Sequence, residues 1–259
     1  MRIEPFALER YFAKHEFSAR FLLSSSDCEP MPMAELLDLA EPGTRRLWED
    51  LTLAYTESPG HPLLRREIAG LYEGLTPDDV LVVVPEEGIF LLMHALLEPG
   101  DRVVCVAPAY QSLHEVARSI GCEVSAWEPR EADGWRFEPD DLELLLRDEP
   151  KLVVLNFPHN PTGAVPRRDE IEAMVAAADR RGAVLLSDEM YRGLDIAPGS
   201  LLPSAVDLGD RTVVLDGLSK RFGLPGLRIG WVATRDRGLL ERMAVLKDCL
   251  LYTSDAADE

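Results

Sequence analysis

Leu218-Ser219-Lys220-Arg221-Phe222-Gly223-Leu224-Pro225-Gly226-Leu227-Arg228-Ile229-Gly230-Trp231 places one lysine between the apolar run 212–215 and a loop broken by glycine and proline. An arginine follows eight positions after the lysine, where the next apolar run begins. A lysine adds to an aldehyde only as the free amine, so its pKa must be depressed by desolvation or by nearby positive charge. An arginine grips a phosphate dianion through two parallel charge-assisted bonds. Lys220 and Arg228 therefore read as a carbon anchor and a phosphate anchor for an aldehyde phosphate. A surface turn with an ordinary strand-end arginine is the rival reading.

Outward from this run, helical and extended patterns alternate at short intervals from about residue 62. That alternation marks a sheet of mostly parallel strands with crossover helices. Candidate strands lie at 80–84, 102–107, 123–126, 152–155, 184–187, 212–215 and 229–233. Their continuous apolar character suits burial on both faces. Helices are expected at 87–97, 111–120 and 169–180, the last with Ile171, Met174, Val175 and Ala178 at helical spacing. In such a sheet, ligands collect beyond the carboxyl ends of the strands. Tyr110, Asn160, Asp188, Tyr191 and Lys220 all follow directly after apolar runs and are expected to converge on one pocket.

The chain has 259 residues, long enough to bury a full α/β core. Its 46 acidic and 27 basic residues give a formal charge of −19, which opposes binding to a phosphate backbone, so no nucleic-acid partner is expected. The apolar stretches are too short to cross a bilayer, and no secretory signal opens the chain, so a cytoplasmic protein without a membrane partner is expected. Cys28, Cys105, Cys122 and Cys249 show neither metal-ligand nor redox spacing, and no metal is expected.

The lysine run does not stand alone. Asn156-Phe157-Pro158-His159-Asn160-Pro161-Thr162-Gly163, Ser187-Asp188-Glu189-Met190-Tyr191 and Ala107-Pro108-Ala109-Tyr110 join it in a pattern that resembles the class I and II aminotransferases related to aspartate aminotransferase. These are enzymes of fold type I that use pyridoxal 5'-phosphate (PLP). The resemblance implies an α/β fold type I large domain over residues 45–248, a mostly parallel seven-stranded sheet flanked by helices. It implies an N-terminal segment, 1–44, associated with a small C-terminal domain that this chain largely lacks, and that segment is expected to be poorly anchored.

The same resemblance implies the roles of the residues. Lys220 would form the Schiff base with PLP and carry the proton between Cα and C4′. Asp188 would keep the pyridine nitrogen protonated, making the cofactor an electron sink; taken alone, Asp188 reads equally as an N-cap. Asn160 and Tyr191 would donate to the phenolic oxygen, although Asn-Pro by itself marks only a turn. Tyr110 would stack on the ring, and Ser219 and Arg228 complete the set in this chain. Tyr55, in Ala54-Tyr55-Thr56-Glu57-Ser58-Pro59-Gly60, would reach the phosphate of a neighbouring subunit, implying a homodimer; a buried turn tyrosine is the alternative. Glu189 and His159 read as structural.

The implied reaction passes an amino group between an amino acid and a 2-oxo acid. The same residues serve PLP-dependent lyases, cyclases and oxidases, and the fold also serves non-catalytic regulators. Two positions depart from the family pattern. Val84-Pro85-Glu86-Glu87-Gly88 stands where small phosphate donors are usual, and Gly217 stands where a serine is common, so Arg228 is expected to carry more of the grip. Residues 249–259 resemble a translated sequencing adapter and are expected to be a non-native tail rather than the next helix.

Overall fold

Each apolar run becomes a strand in a computed structural model that describes residues 3–194 and 201–252. The strands are β1 (Val80–Val83), β2 (Arg102–Val106), β3 (Glu123–Trp127), β4 (Leu152–Asn156), β5 (Val184–Asp188), β6 (Thr212–Gly217) and β7 (Gly230–Thr234). One sheet holds them in the order β1-β7-β6-β5-β4-β2-β3. From β6 to β3 all neighbours are parallel, whereas β7 is antiparallel to both β6 and β1. The sheet is therefore mixed at one side, with β7 alone running back.

The helices, in chain order, are α1 (Ala7–His15), α2 (Met33–Asp38), α3 (Pro42–Glu49), α4 (Pro62–Ala69), α5 (Pro85–Leu96), α6 (Ser112–Ile120), α7 (Pro139–Leu145), α8 (Arg168–Arg180) and α9 (Arg237–Tyr252). From α4 onward they cover both faces of the sheet, whereas α1, α2 and α3 bury no residue. Successive strand residues point to opposite faces. Val104, Val153 and Leu185 pack with Leu142 of α7 and with Ile171, Met174 and Val175 of α8. Val103, Cys105, Leu152 and Val154 pack on the other face with Leu91 and Leu92 of α5, Leu113 of α6 and Met243 of α9. Burial on both faces explains why the strands other than the largely exposed edge strand β3 read as apolar runs, each fully buried Leu or Val stabilising the fold by roughly 1.5–3 kcal/mol.

Most boundaries shift by a residue or two from the sequence reading, and two differences bear on the site and the tail. α5 starts at Pro85, not Glu87: proline loses no hydrogen bond at the first helical position, and Glu87 Oε2 accepts the Val84 amide at 3.0 Å to cap the turn. Pro85 and Glu86 thus belong to a helix N-terminus at the carboxyl edge of the sheet. α9 continues through residues 249–252, which contain no helix breaker; the rest of the expected tail, 253–259, lies outside the described residues. Among the described residues, no helix is long and apolar enough to cross a membrane.

Candidate active site

The carboxyl ends of β4, β5 and β6 meet the start of α5 and one side of α1 around a cleft of about 460 Å³. Lys220, Ser219, Asp188 and Arg228 line it, together with Asn160, Tyr191 and Tyr110. Tyr55 does not: its side chain is 98% exposed, which removes the reading as a buried turn tyrosine.

Asp188 ends β5 in register with Asn156, which ends β4. Asn156 Nδ2 donates to the Asp188 carbonyl at 3.1 Å, and Asn156 Oδ1 accepts the Asn160 amide at 2.9 Å. One buried asparagine thereby fixes Asp188 and Asn160 relative to each other. The sequence reading missed Asn156, although it too is a polar residue closing an apolar run. Asp188 Oδ1 accepts the Met190 amide at 3.1 Å in a turn, and no helix begins there, so the N-cap reading does not hold. Burial pushes the Asp188 carboxyl up to about 7 against the pull of the Met190 amide, with Glu86 and Glu189 adding to the rise and Lys220 opposing it.

Asn160 Nδ2 donates to the Tyr191 hydroxyl at 3.2 Å, and that hydroxyl donates to Ser26 Oγ at 2.9 Å. His159 is a buried tie between two loops: its Nε2 donates to the Pro108 carbonyl at 2.8 Å, leaving Nδ1 to accept from Thr162 at 2.7 Å. Glu189 is also structural, accepting from Ser204 and from the Ala205 amide and pairing with Arg192 at 3.6 Å.

Lys220 carries a correction. Desolvation lowers its pKa, but the Asp27 carboxylate in contact with Nζ, aided by Tyr191, raises it by more, so the amine is held protonated rather than free. Asp27 lies 193 positions away in the chain. It belongs to the N-terminal segment, none of whose helical residues is buried and which touches the sheet domain through hydrogen bonds: the Met31 amide donates to the Gly223 carbonyl at 2.9 Å, and the Tyr110 hydroxyl donates to Glu9 at 2.5 Å. Burial, then the Glu9 contact, raises the Tyr110 pKa.

At the other end of the cleft, Arg228 is a left-handed residue with φ +53°. Its Nη1 donates to the Pro225 carbonyl at 3.3 Å, and its Nη2 lies 3.4 Å from Glu86 Oε2. Ser219 Oγ is buried in the cleft without a hydrogen-bond partner among the described residues. Gly217 has a steric cause: a Cβ there would meet Gly230 Cα and the Ile229 carbonyl at 3.0 Å, while a Cβ on Gly230 would meet Pro85 Cγ at 2.8 Å. Pro85, Gly230 and Gly217 are thus one packed stack, which brings the two departures from the family pattern side by side.

The aminotransferase class I and II family model matches residues 37–258. Capreomycidine synthase of Streptomyces vinaceus is 36% identical over 248 residues, 94% of this chain and 62% of that protein. The structure of a PLP-dependent aminotransferase from Streptococcus suis superposes with a TM-score of 0.86 at 31% identity, covering 96% of this chain and 66% of the other. The structure of a PLP-dependent cyclase, OrfR, does so at 0.84 and 35% identity, covering 96% and 64%. The chain spans less than two thirds of the length of each of these relatives. With its sheet, its cleft and these matches, the chain belongs to the class I and II aminotransferase family, whose cofactor is pyridoxal 5'-phosphate.

Proposed function

We propose that this chain is the cofactor-binding part of an enzyme that transfers an amino group between an amino acid and a 2-oxo acid. The observation that carries the proposal is the meeting of Lys220, Asp188 and the Asn160–Tyr191 pair in one cleft. The residues fit PLP. Asp188 is a buried carboxylate whose raised pKa calls for a cation, and a protonated pyridine nitrogen is one. Ser219 Oγ is a buried donor in need of an acceptor, which a phosphate supplies.

When bound, PLP supplies an electron sink for the pair released at a substrate Cα. Lys220 Nζ anchors the aldehyde carbon and, when released, takes and returns the Cα proton. Asp188 holds the positive charge at the ring nitrogen. Asn160 Nδ2 and the Tyr191 hydroxyl donate to the phenolic oxygen, and Tyr110 offers its ring as a platform. Ser219 and Arg228 take the phosphate, joined by the exposed Tyr55 from a second copy in a homodimer. The cysteines at 28, 105, 122 and 249 are free thiols, which suits a cytoplasmic enzyme.

The likeness to capreomycidine synthase and to OrfR favours a second reading, a cyclase-type reaction on an amino acid. A donor panel separates the two. Transfer yields one 2-oxo acid for each acceptor aminated; a cyclised product with no acceptor aminated sinks the transfer reading.

A further inference from the structure

Both cations of the cleft are held by carboxylates of this chain, Lys220 by Asp27 and Arg228 by Glu86. The second pair engages the arginine assigned to the phosphate. Resting on the PLP reading above, we infer that Glu86 is a built-in competitor of the cofactor phosphate and sets how tightly this protein holds its cofactor.

Apart from the Glu86 and Glu87 amides in the first turn of α5, the groups around Glu86 are committed. Pro85 has no amide proton to offer at the first position of α5. Glu87 is turned back onto the Val84 amide. Gly88 donates its amide to the Val84 carbonyl at 2.9 Å, inside the helix ladder. Gly217 has no hydroxyl, and a Cβ there would already crowd Gly230 at 3.0 Å. Ser219 and Arg228 are left as the side-chain donors of this end, and Glu86 occupies the stronger of them. Its carboxylate lines the cleft and makes no other ion pair among the described residues.

Arg228 also donates to the Pro225 carbonyl at 3.3 Å, a bond that favours its position beside Glu86. A dianion bound to Arg228 then sits within a few ångströms of a like charge, and like charges at that range disfavour each other strongly in a partly desolvated site. Glu86 is half exposed, so its replacement by glutamine keeps shape and hydrogen bonding while removing only the charge.

The test is equilibrium dialysis of the full chain with PLP and, separately, with pyridoxal, which has the same aldehyde and ring but no phosphate. Glu86→Gln is expected to lower the Kd for PLP by about tenfold or more while moving that for pyridoxal less than about twofold. An unchanged or weaker PLP affinity overturns the inference, and so does an equal gain for both ligands, which would place Glu86 against the ring. Arg228→Gln, run beside it, is expected to loosen PLP and spare pyridoxal. If neither Arg228→Gln nor Lys220→Ala changes PLP binding, the cofactor reading itself fails, an outcome distinct from a silent Glu86.

Discussion

Asp188 is a carboxylate buried at the end of β5 with a single backbone amide on its side chain, and in the cofactor-free protein that position costs stability. Its folded pKa of about 7 lies above the ordinary 3.8, so between those values the native state holds a proton that the unfolded chain has released. Stability then falls as pH rises through this window, and the full penalty applies above about 7. Asparagine cannot ionise and keeps an oxygen for the Met190 amide. The cofactor-free Asp188→Asn protein should therefore be more stable than wild type at pH 8, by roughly 1–3 kcal/mol in urea unfolding, with the advantage shrinking toward pH 4. A pH-independent difference would show that the carboxylate is not strained by burial. Lys220, Asp188, Asn160 and Tyr191 were legible because each is a reactive or polar residue just beyond an apolar run. Asp27 and Glu9 were not: they reach the cleft across 193 and 101 positions, and no local pattern encodes such a contact.

At the level of elements, seven strands could be read from apolar runs because helices on both faces demand them. The reversal of β7 could not, since an apolar run reads the same in either direction. That reversal matters to the site, because it brings Gly230 against Gly217 and Pro85. The sequence reading took Gly217 as a lost phosphate donor; the packing shows a position where a side chain would crowd the β7 backbone at 3.0 Å. Gly217→Ser should consequently destabilise the chain by about 1–3 kcal/mol, measured by urea unfolding, without tightening PLP. A serine that is neutral in stability and improves cofactor affinity would refute the packed stack. Similarly, Pro85 and Glu86 looked like loop residues, whereas proline's preference for the first helical turn draws them into α5.

Across the whole molecule, the strands deliver their polar ends to one edge, α5 closes that edge, and the N-terminal segment lies over it. Each cation in the cleft meets a carboxylate from an element outside its own loop, Asp27 from the N-terminal segment and Glu86 from α5. The cofactor-free protein thus neutralises its own anchors, and binding must exchange those contacts for the aldehyde and the phosphate. The central claim is that Lys220 is the amine that receives the aldehyde. Incubation with PLP, reduction with borohydride and peptide mass spectrometry test it directly. The account predicts a phosphopyridoxyl group on the peptide carrying Lys220; a label spread over other lysines, with Lys220 unmodified, would contradict it.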